Sequence, residues 1–259
     1  MLQSFFSLPL RALEGFSRSI LALLGVDLPV PDYSTLCRRR QRLACRLAAA
    51  APRPKATAEP LHLVIDASGF KVFGEGEWKV RQHGIGKRRT WRKLHLAVNE
   101  KSGQIVAAAA SDPEVTDGEA LPLLLAQVER PIDQASLDGA YDQGGCYDAL
   151  AAYGAKHVAI PPRRRARIWC HGNCKGPRHP RDENLRKIRK LGRAKWKRQS
   201  GYHRRSRAEM TFFRLKSTFG ERLSARSFSG QGNEMFIRCA ALNKLTTLGM
   251  PQSYAAIAA

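Results

Sequence analysis

The sequence has no disulfide framework, no membrane-length apolar run and no complete phosphate-binding glycine loop. Its six cysteines are scattered over 259 residues, which excludes a small disulfide-stapled domain and favours reduced thiols in a cytoplasmic protein. Residues 2–28 are mostly apolar, but Arg11, Glu14 and Arg18 interrupt them, so we expect no membrane span. Residues 84–87 (Gly-Ile-Gly-Lys) lack the earlier glycine and the following Ser or Thr of a P-loop, which excludes that type of nucleotide site.

Acidic residues are also scarce. Asp and Glu total 22 against 44 Lys and Arg, a formal net charge of +22. Between residues 163 and 216 there are 20 basic residues and three acids: Asp182, Glu183 and Glu209. This excess disfavours an enzyme of small molecules and favours a polyanionic partner, with nucleic acid the first candidate. A merely solvated basic surface has the same composition, so charge indicates the class of ligand and not the reaction.

The first 50 residues predict a small helical region. Residues 2–25 carry apolar side chains at steps of three or four, and a second, Arg-rich helix begins at Asp32. Two interpretations remain open for this pair. It is part of a DNA-binding helix-turn-helix unit, or it packs on a core and exposes a solvated basic face. The Ala/Pro-rich residues 51–60 predict a linker.

A three-stranded meander is predicted next. Residues 61–66 (LHLVID) form an almost continuous apolar run that ends at Asp66, which is typical of a strand buried on both faces. Residues 91–98 alternate apolar and polar side chains, and residues 104–110 predict the third strand. A short strand at residues 135–138 then ends at a second acid, Asp138.

Strands that alternate with helices after this meander predict a mixed α/β sheet flanked by helices. We expect one domain over residues 61–250. Residues 161–200 are basic and poorly periodic, so they predict an insertion in that domain. A last apolar helix is expected at residues 236–248.

The stretch 201–220, GYHRRSRAEMTFFRLKSTFG, predicts a helix with a polar stripe. Four residues, separated by 3, 4 and 7 positions, fall on one side of it: Tyr202, Arg205, Glu209 and Lys216. Such spacing is typical of a surface helix with salt bridges. It also suits one wall of a metal-assisted phosphate site.

Three carboxylates favour the second interpretation. Asp66 and Asp138 are both predicted at carboxyl ends of strands, where ligands collect in α/β sheets, and the later helix adds Glu209. Carboxylates without a histidine suit Mg²⁺ or Mn²⁺, and two such ions beside a basic surface favour phosphoryl transfer on nucleic acid. We therefore expect Glu209 to point towards the two aspartates. Each acid alone is more typical of a strand-end residue that caps a turn or a helix, and only the three together favour a metal site.

The spacing of Tyr202, Arg205, Glu209 and Lys216 resembles the signature that defines one group of bacterial insertion-sequence transposases of the DDE class. That signature is Tyr, two residues, Arg, three residues, Glu, six residues, Lys. Further stretches of the chain resemble the same group over roughly residues 61–245: IDASGF around Asp66, WKVRQHG and TWRKLHLAV at residues 78–84 and 90–98, and LDGAYD around Asp138.

The resemblance implies a ribonuclease H-like fold and a two-metal site. By similarity, Asp66, Asp138 and Glu209 are the catalytic residues and the ligands of two Mg²⁺ (or Mn²⁺) ions. Three further residues are implied to contact DNA phosphates: Tyr202, Arg205 and Lys216. The implied chemistry is hydrolytic cleavage at transposon ends followed by attack of the freed 3′-hydroxyl on target DNA. The implied partners are double-stranded DNA and a second copy of the chain.

Several alternatives remain beside this prediction. Asp142, in the same LDGAYD stretch, competes with Asp138. We prefer Asp138 because a strand end positions a ligand more rigidly than a loop. Members of this group usually carry a longer N-terminal helical region, so a truncated, inactive DNA-binding remnant is one alternative function. A basic RNA-binding protein is another.

Overall fold

The computed structural model describes residues 1–42, 59–72, 91–170 and 178–249. Residues 51–58 of the predicted linker lie outside this part of the chain, as does the WKVRQHG stretch. In the part described, one six-stranded sheet has the order β3-β2-β1-β4-β5, with β6 paired to the distal half of β1. Its strands are β1 (Leu61–Val72), β2 (Trp91–Asn99), β3 (Ile105–Ser111), β4 (Ile132–Ser136), β5 (His157–Ala159) and β6 (Arg222–Leu223).

The sheet is mixed. β1, β2 and β3 pair antiparallel, whereas β4 and β6 pair parallel to β1 and β5 pairs parallel to β4. The predicted mixed α/β sheet flanked by helices is therefore confirmed. The helices along the described chain are α1 (Leu2–Phe6), α2 (Leu10–Leu23), α3 (Tyr33–Arg42), α4 (Asp117–Leu125), α5 (Gly144–Ala152), α6 (Pro180–Leu191), α7 (Arg193–Gln199), α8 (Ser206–Phe219) and α9 (Phe228–Leu248).

β1 is longer than predicted, and Asp66 lies within it instead of at its end. The strand continues to Val72 because β2 pairs with it as far as Lys71. Its parallel neighbour β4 pairs with it only as far as Val64. Asp66 therefore lies just beyond the point where β4 stops pairing with β1, while β2 continues to pair with it.

Both faces of the sheet are covered, and the alternation along β1 assigns its side chains to them. Val64 packs in the cluster that includes residues of α8 and α9. Leu63 and Ile65 pack in the opposite cluster, which includes residues of α4 and α5. Because successive side chains of a strand point to opposite faces, Asp66 shares the face of Val64. The carboxylate is thus on the side of the sheet that α8 covers.

The N-terminal helical region is anchored to α9 by a buried carboxylate. The predicted helix over residues 2–25 is divided into α1 and α2, with Pro9 at the N-cap of α2. Arg40 of α3 donates to Glu234 at 3.0 Å, and Arg238 donates to the same carboxylate at 2.6 Å. Asn233 also donates to the Arg40 carbonyl at 3.0 Å. Arg40 therefore has a structural role in joining α3 to α9, whereas Arg38 and Arg39 of the same helix are exposed.

Two helical predictions need correction. The basic insertion contains α6 and α7, and Pro180 in the first turn of α6 sets its start while Gly192, with φ of 81°, separates the two helices. α9 begins at Phe228, eight residues earlier than the predicted 236, because the Ser227 hydroxyl oxygen caps it by accepting a hydrogen bond from the Gly230 backbone N–H. No helix in the described ranges is long and apolar enough to cross a membrane.

Candidate active site

Asp66 and Asp138 meet because β1 and β4 are paired in parallel register. Val64 is the partner of Ser136, the last residue of β4. Asp66 and Asp138 each follow this pair by two residues, so both lie just beyond the end of the pairing, and the charge of Asp138 contributes to the raised pKa of Asp66. Asp138 was predicted to end its strand, but β4 ends two residues earlier. The sequence separation of 72 residues is thus closed by the strand pairing alone.

Asp138 is held at the start of a short 3₁₀ helix, Gly139–Tyr141. Its Oδ1 accepts a hydrogen bond from the Ala140 backbone N–H at 2.8 Å, in the manner of an N-cap. The side chain is half-buried. Local backbone geometry therefore orients this carboxylate.

Asp142, the alternative candidate, has a different environment. Its side chain is 1% exposed and accepts from the Arg181 guanidinium, with the Nε to Oδ1 distance at 2.7 Å. The Tyr147 hydroxyl donates to Oδ1 at 3.3 Å and the Arg163 backbone N–H donates to Oδ2 at 3.2 Å. Because this carboxylate is buried, ion-paired and hydrogen-bonded on both oxygens, its role is structural and it is not available to bind a metal ion.

One guanidinium connects Asp66 to Glu209. Arg205 Nη1 lies 3.2 Å from Asp66 Oδ2, and Nη2 donates to Glu209 Oε1. The Asp66 and Arg205 side chains are 18% and 19% exposed, whereas that of Glu209 is 55% exposed. Glu209 is therefore held on the side of Asp66 through Arg205, although its carboxylate remains open to solvent. The expected direct approach of Glu209 to the aspartates is replaced by this bridge.

The negative charges of Asp138 and Glu209 act on the Asp66 carboxyl. Burial raises the pKa of the Asp66 carboxyl; Arg205 opposes the rise, and the charges of Asp138 and Glu209 add to it. Among the described residues, no three His, Cys, Asp or Glu side chains lie close enough together to hold a metal ion. The donor chemistry of Asp66, Asp138 and Glu209 is of the type that Mg²⁺ and Mn²⁺ prefer, because all three offer carboxylate oxygens, although here the Arg205 guanidinium supplies the positive charge between Asp66 and Glu209.

The predicted helix at residues 202–219 consists of two parts. Tyr202–Arg205 is a 3₁₀ helix that starts after Gly201, with φ of 65°, and α8 follows from Ser206. This tighter first turn brings the Arg205 side chain over β1. Tyr202 is buried against Trp196, with ring centroids 5.7 Å apart. At the other end, Lys216 Nζ lies 5.3 Å from the ring centroid of Phe70 on β1.

Two buried polar residues were not recognised in the sequence: Tyr141, which lies within reach of the charges of Asp138 and Asp66, and His95, which lies beside Asp117. His95 is 0% exposed; its Nε2 is 2.8 Å from Ser111 Oγ, and its Nδ1 has no hydrogen-bond partner in the described chain. The Tyr141 hydroxyl is also buried without a described partner. Burial is the largest cause of the raised pKa of Tyr141, and the charges of Asp117 and Asp138 add to it. A polar residue within the apolar run LHLAV was the available signal for His95, whereas Tyr141 lies in the polar stretch LDGAYD and had no such signal.

Tyr141→Phe is expected to leave the free energy of unfolding unchanged or to raise it by up to about 1 kcal/mol. The substitution removes a buried hydroxyl that lacks a partner and keeps the ring. Chemical denaturation measures the change. Tyr147→Phe is the matched control, because the Tyr147 hydroxyl donates to Asp142 and its loss is expected to cost about 1 kcal/mol. Equal destabilisation by both substitutions would show that the Tyr141 hydroxyl also has a partner.

Comparison with known protein families agrees with this geometry. A family described as "Transposase DDE domain" matches residues 57–244. A second family with the same description matches residues 1–75. The first match covers well over half of the 259 residues and includes Asp66, Asp138 and Glu209. The chain therefore belongs to the family of transposase DDE domains.

Proposed function

We propose that this transposase cleaves DNA at insertion-sequence ends in a metal-dependent reaction and then joins the freed 3′-hydroxyl to target DNA. The single observation that carries the proposal is the Arg205 bridge between Asp66 and Glu209, next to Asp138 at the end of the β1–β4 pairing. The order of the sheet and the Tyr-Arg-Glu-Lys spacing support a ribonuclease H-like fold and membership of the insertion-sequence group. The active form is a dimer, since two DNA ends must be joined. It acts in the bacterial cytoplasm, in association with DNA.

The three acids would hold two divalent cations, Mg²⁺ or Mn²⁺. When bound, such cations lower the pKa of an attacking oxygen and stabilise the leaving oxygen of the scissile phosphate. Asp66 contributes a carboxylate on the continuous strand, and Asp138 contributes one oriented by Ala140. Glu209 contributes a carboxylate from a helix. The three proposed ligands come from three separate elements. The cations would therefore lie against the sheet, on the face that α8 covers.

The basic residues of the signature would hold the DNA backbone. Arg205 presents a planar fork of N–H donors, which matches phosphate oxygens as well as carboxylates. Tyr202, whose ring lies 5.9 Å from the Arg205 guanidinium carbon, limits the positions that this fork can take. Lys216 adds a positive charge on the same side of β1, above Phe70. These donors, already in place, would stabilise the negative charge that develops on a phosphate here.

A strand-nicking assay tests the proposed function. Labelled duplexes that carry the DNA flanking the reading frame are incubated with the protein in Mg²⁺, Mn²⁺ or EDTA. Nicks that leave a 3′-hydroxyl, and that require the metal, support the transposase reaction. Binding to these duplexes without nicks in either metal would support the inactive remnant instead. A preference for RNA, again without cleavage, would support the RNA-binding alternative.

Arg205→Ala is expected to strengthen Mn²⁺ binding by the DNA-free protein about tenfold. The guanidinium and a cation compete for the same oxygens of Asp66 and Glu209, so its removal leaves the carboxylates free. The free Mn²⁺ signal in electron paramagnetic resonance titrations measures this affinity. The same substitution is expected to weaken DNA binding, because one phosphate donor is lost.

Arg204→Ala is the matched control. The exposed Arg204 neighbours Arg205 but contacts Glu100, with Nη1 3.5 Å from Oε2. Its loss removes the same charge from the same 3₁₀ helix and is expected to leave Mn²⁺ affinity nearly unchanged. Weaker Mn²⁺ binding by Arg205→Ala would contradict the competition and would assign Arg205 a supporting role for the carboxylates.

A further inference from the structure

Helices α6 and α7 present a dense set of exposed positive charges next to the candidate active site. The six exposed basic residues, which we call the basic two-helix surface, are Lys187, Arg189, Lys190, Lys195, Lys197 and Arg198. Within each helix some of them recur at three-residue spacing, which places them on one side of that helix. The sequence predicts only a poorly periodic insertion in this part of the chain. The regular arrangement of the charges therefore comes from the two helices.

These charges lack acidic partners. None of the six forms an ion pair with a carboxylate of the described residues, whereas the neighbouring Arg186 is paired with Glu183 at 2.7 Å. The sequence contains no acid between Glu183 and Glu209. Six like charges within 12 residues repel one another, and an anionic partner relieves that repulsion. The surface therefore favours a polyanion over a protein of mixed charge.

The surface is fixed to the sheet and to the signature residues. The Trp196 indole of α7 donates to Asn184 of α6 at 3.3 Å, and Asn184 donates to the Val158 carbonyl of β5 at 2.8 Å. Trp196 also packs on Tyr202, the first signature residue. At the end of α7, Gln134 of β4 donates to the Ser200 carbonyl at 2.7 Å. These contacts set the position of α6 and α7 relative to the strand that leads to Asp138.

We infer that the basic two-helix surface binds the phosphate backbone of duplex DNA outside the scissile position, and so sets where the duplex lies relative to Asp138. The inference rests on the proposed function and adds a separate contact surface to it. α6 is about 18 Å long, which corresponds to roughly five base steps of a duplex. None of these long side chains has an acidic partner in the described part of the chain, although Lys197 Nζ also lies 5.4 Å from the Tyr202 ring centroid. Such side chains bind phosphates without reading bases, so this contact is independent of sequence.

Fluorescence anisotropy with a random-sequence duplex of about 30 base pairs tests the inference, at several KCl concentrations and with EDTA present. One variant combines Lys187→Gln with Lys190→Gln, and a second combines Lys195→Gln with Arg198→Gln. Each is expected to weaken binding roughly tenfold and to reduce the salt slope by about 0.9 per lost phosphate contact. The control combines Lys101→Gln with Lys244→Gln, two exposed residues outside α6 and α7. Its affinity and slope are expected to remain close to those of the wild type.

The outcomes separate this inference from the proposed function. If the wild type binds DNA with a steep salt dependence but the control loses as much affinity as the α6–α7 variants, the basic two-helix surface is not the DNA contact. That result would leave the transposase proposal intact. No binding of DNA by the wild type would contradict the proposed function itself. Tighter binding to an RNA duplex of equal length would overturn DNA as the partner of this surface. Unchanged melting temperatures in all variants establish that the losses are not caused by unfolding.

Discussion

Asp138→Asn is expected to lower metal-dependent DNA nicking by roughly a thousandfold or more while the protein remains folded. Asparagine removes the negative charge that a divalent cation requires. It keeps the oxygen that accepts from Ala140, and asparagine is as good an N-cap residue as aspartate. The free energy of unfolding is therefore expected to change by less than about 0.5 kcal/mol. Initial rates of nicking in Mg²⁺ and chemical denaturation measure the two quantities.

The same pattern is expected for the other two proposed ligands. Asp66→Asn and Glu209→Gln should each reduce nicking strongly and weaken Mn²⁺ binding. Binding of the uncleaved duplex should persist in all three variants, because these changes remove negative charge from a surface that attracts phosphates. Nicking at the wild-type rate by Asp138→Asn would remove Asp138 from the site. Retained nicking by Glu209→Gln alone would leave the two aspartates as the metal ligands.

Asp142→Asn is expected to have the opposite effect and to cost about 3–5 kcal/mol of unfolding free energy. The Arg181 guanidinium is 6% exposed, and this substitution leaves it without its nearest counter-charge. Asp182 Oδ1 lies 3.8 Å from Arg181 Nη1 and is already hydrogen-bonded to the Trp169 backbone N–H. Domains are commonly stable by about 5–15 kcal/mol, so a loss of this size is a large fraction of the total. Chemical denaturation measures it directly.

A double variant tests the cause of this loss. Combining Asp142→Asn with Arg181→Met removes both charges, and it should recover part of the stability because no buried charge then lacks a partner. Nicking per folded molecule should remain near that of the wild type. If Asp142→Asn instead kept full stability and abolished nicking, Asp142 and not Asp138 would be the second acid of the site.

The contrast between Asp138 and Asp142 shows where sequence patterns stop. Both acids belong to LDGAYD and lie four residues apart. Their difference depends on Arg181, which is 39 residues from Asp142 along the chain. A local pattern cannot show which of two nearby carboxylates a distant arginine will neutralise. The predicted strand end at Asp138 also differs from the structure, in which β4 ends at Ser136.

The Tyr-Arg-Glu-Lys stretch shows a similar limit. Its spacing placed four side chains on one side of a regular helix, whereas the chain forms a 3₁₀ turn before α8. Spacing alone therefore predicted the participants and not their contacts. The Arg205 bridge depends on the distance between α8 and β1, and this distance is set by packing of the Phe212 and Leu215 side chains beneath the helix.

The sequence by itself determined the mixed α/β class, the basic character and the family signature, because apolar periodicity, charge and spacing are properties of the chain alone. Only the tertiary structure decided which acids stand together. Strand pairing joined Asp66 to Asp138, and Arg205 brought Glu209 to the same place. It also turned a poorly periodic basic segment into two ordered helices, since a buried tryptophan fastens them to the sheet. These arrangements depend on electrostatic and packing contacts between residues that are far apart in sequence. The energies of such contacts depend on distances that only the folded chain defines.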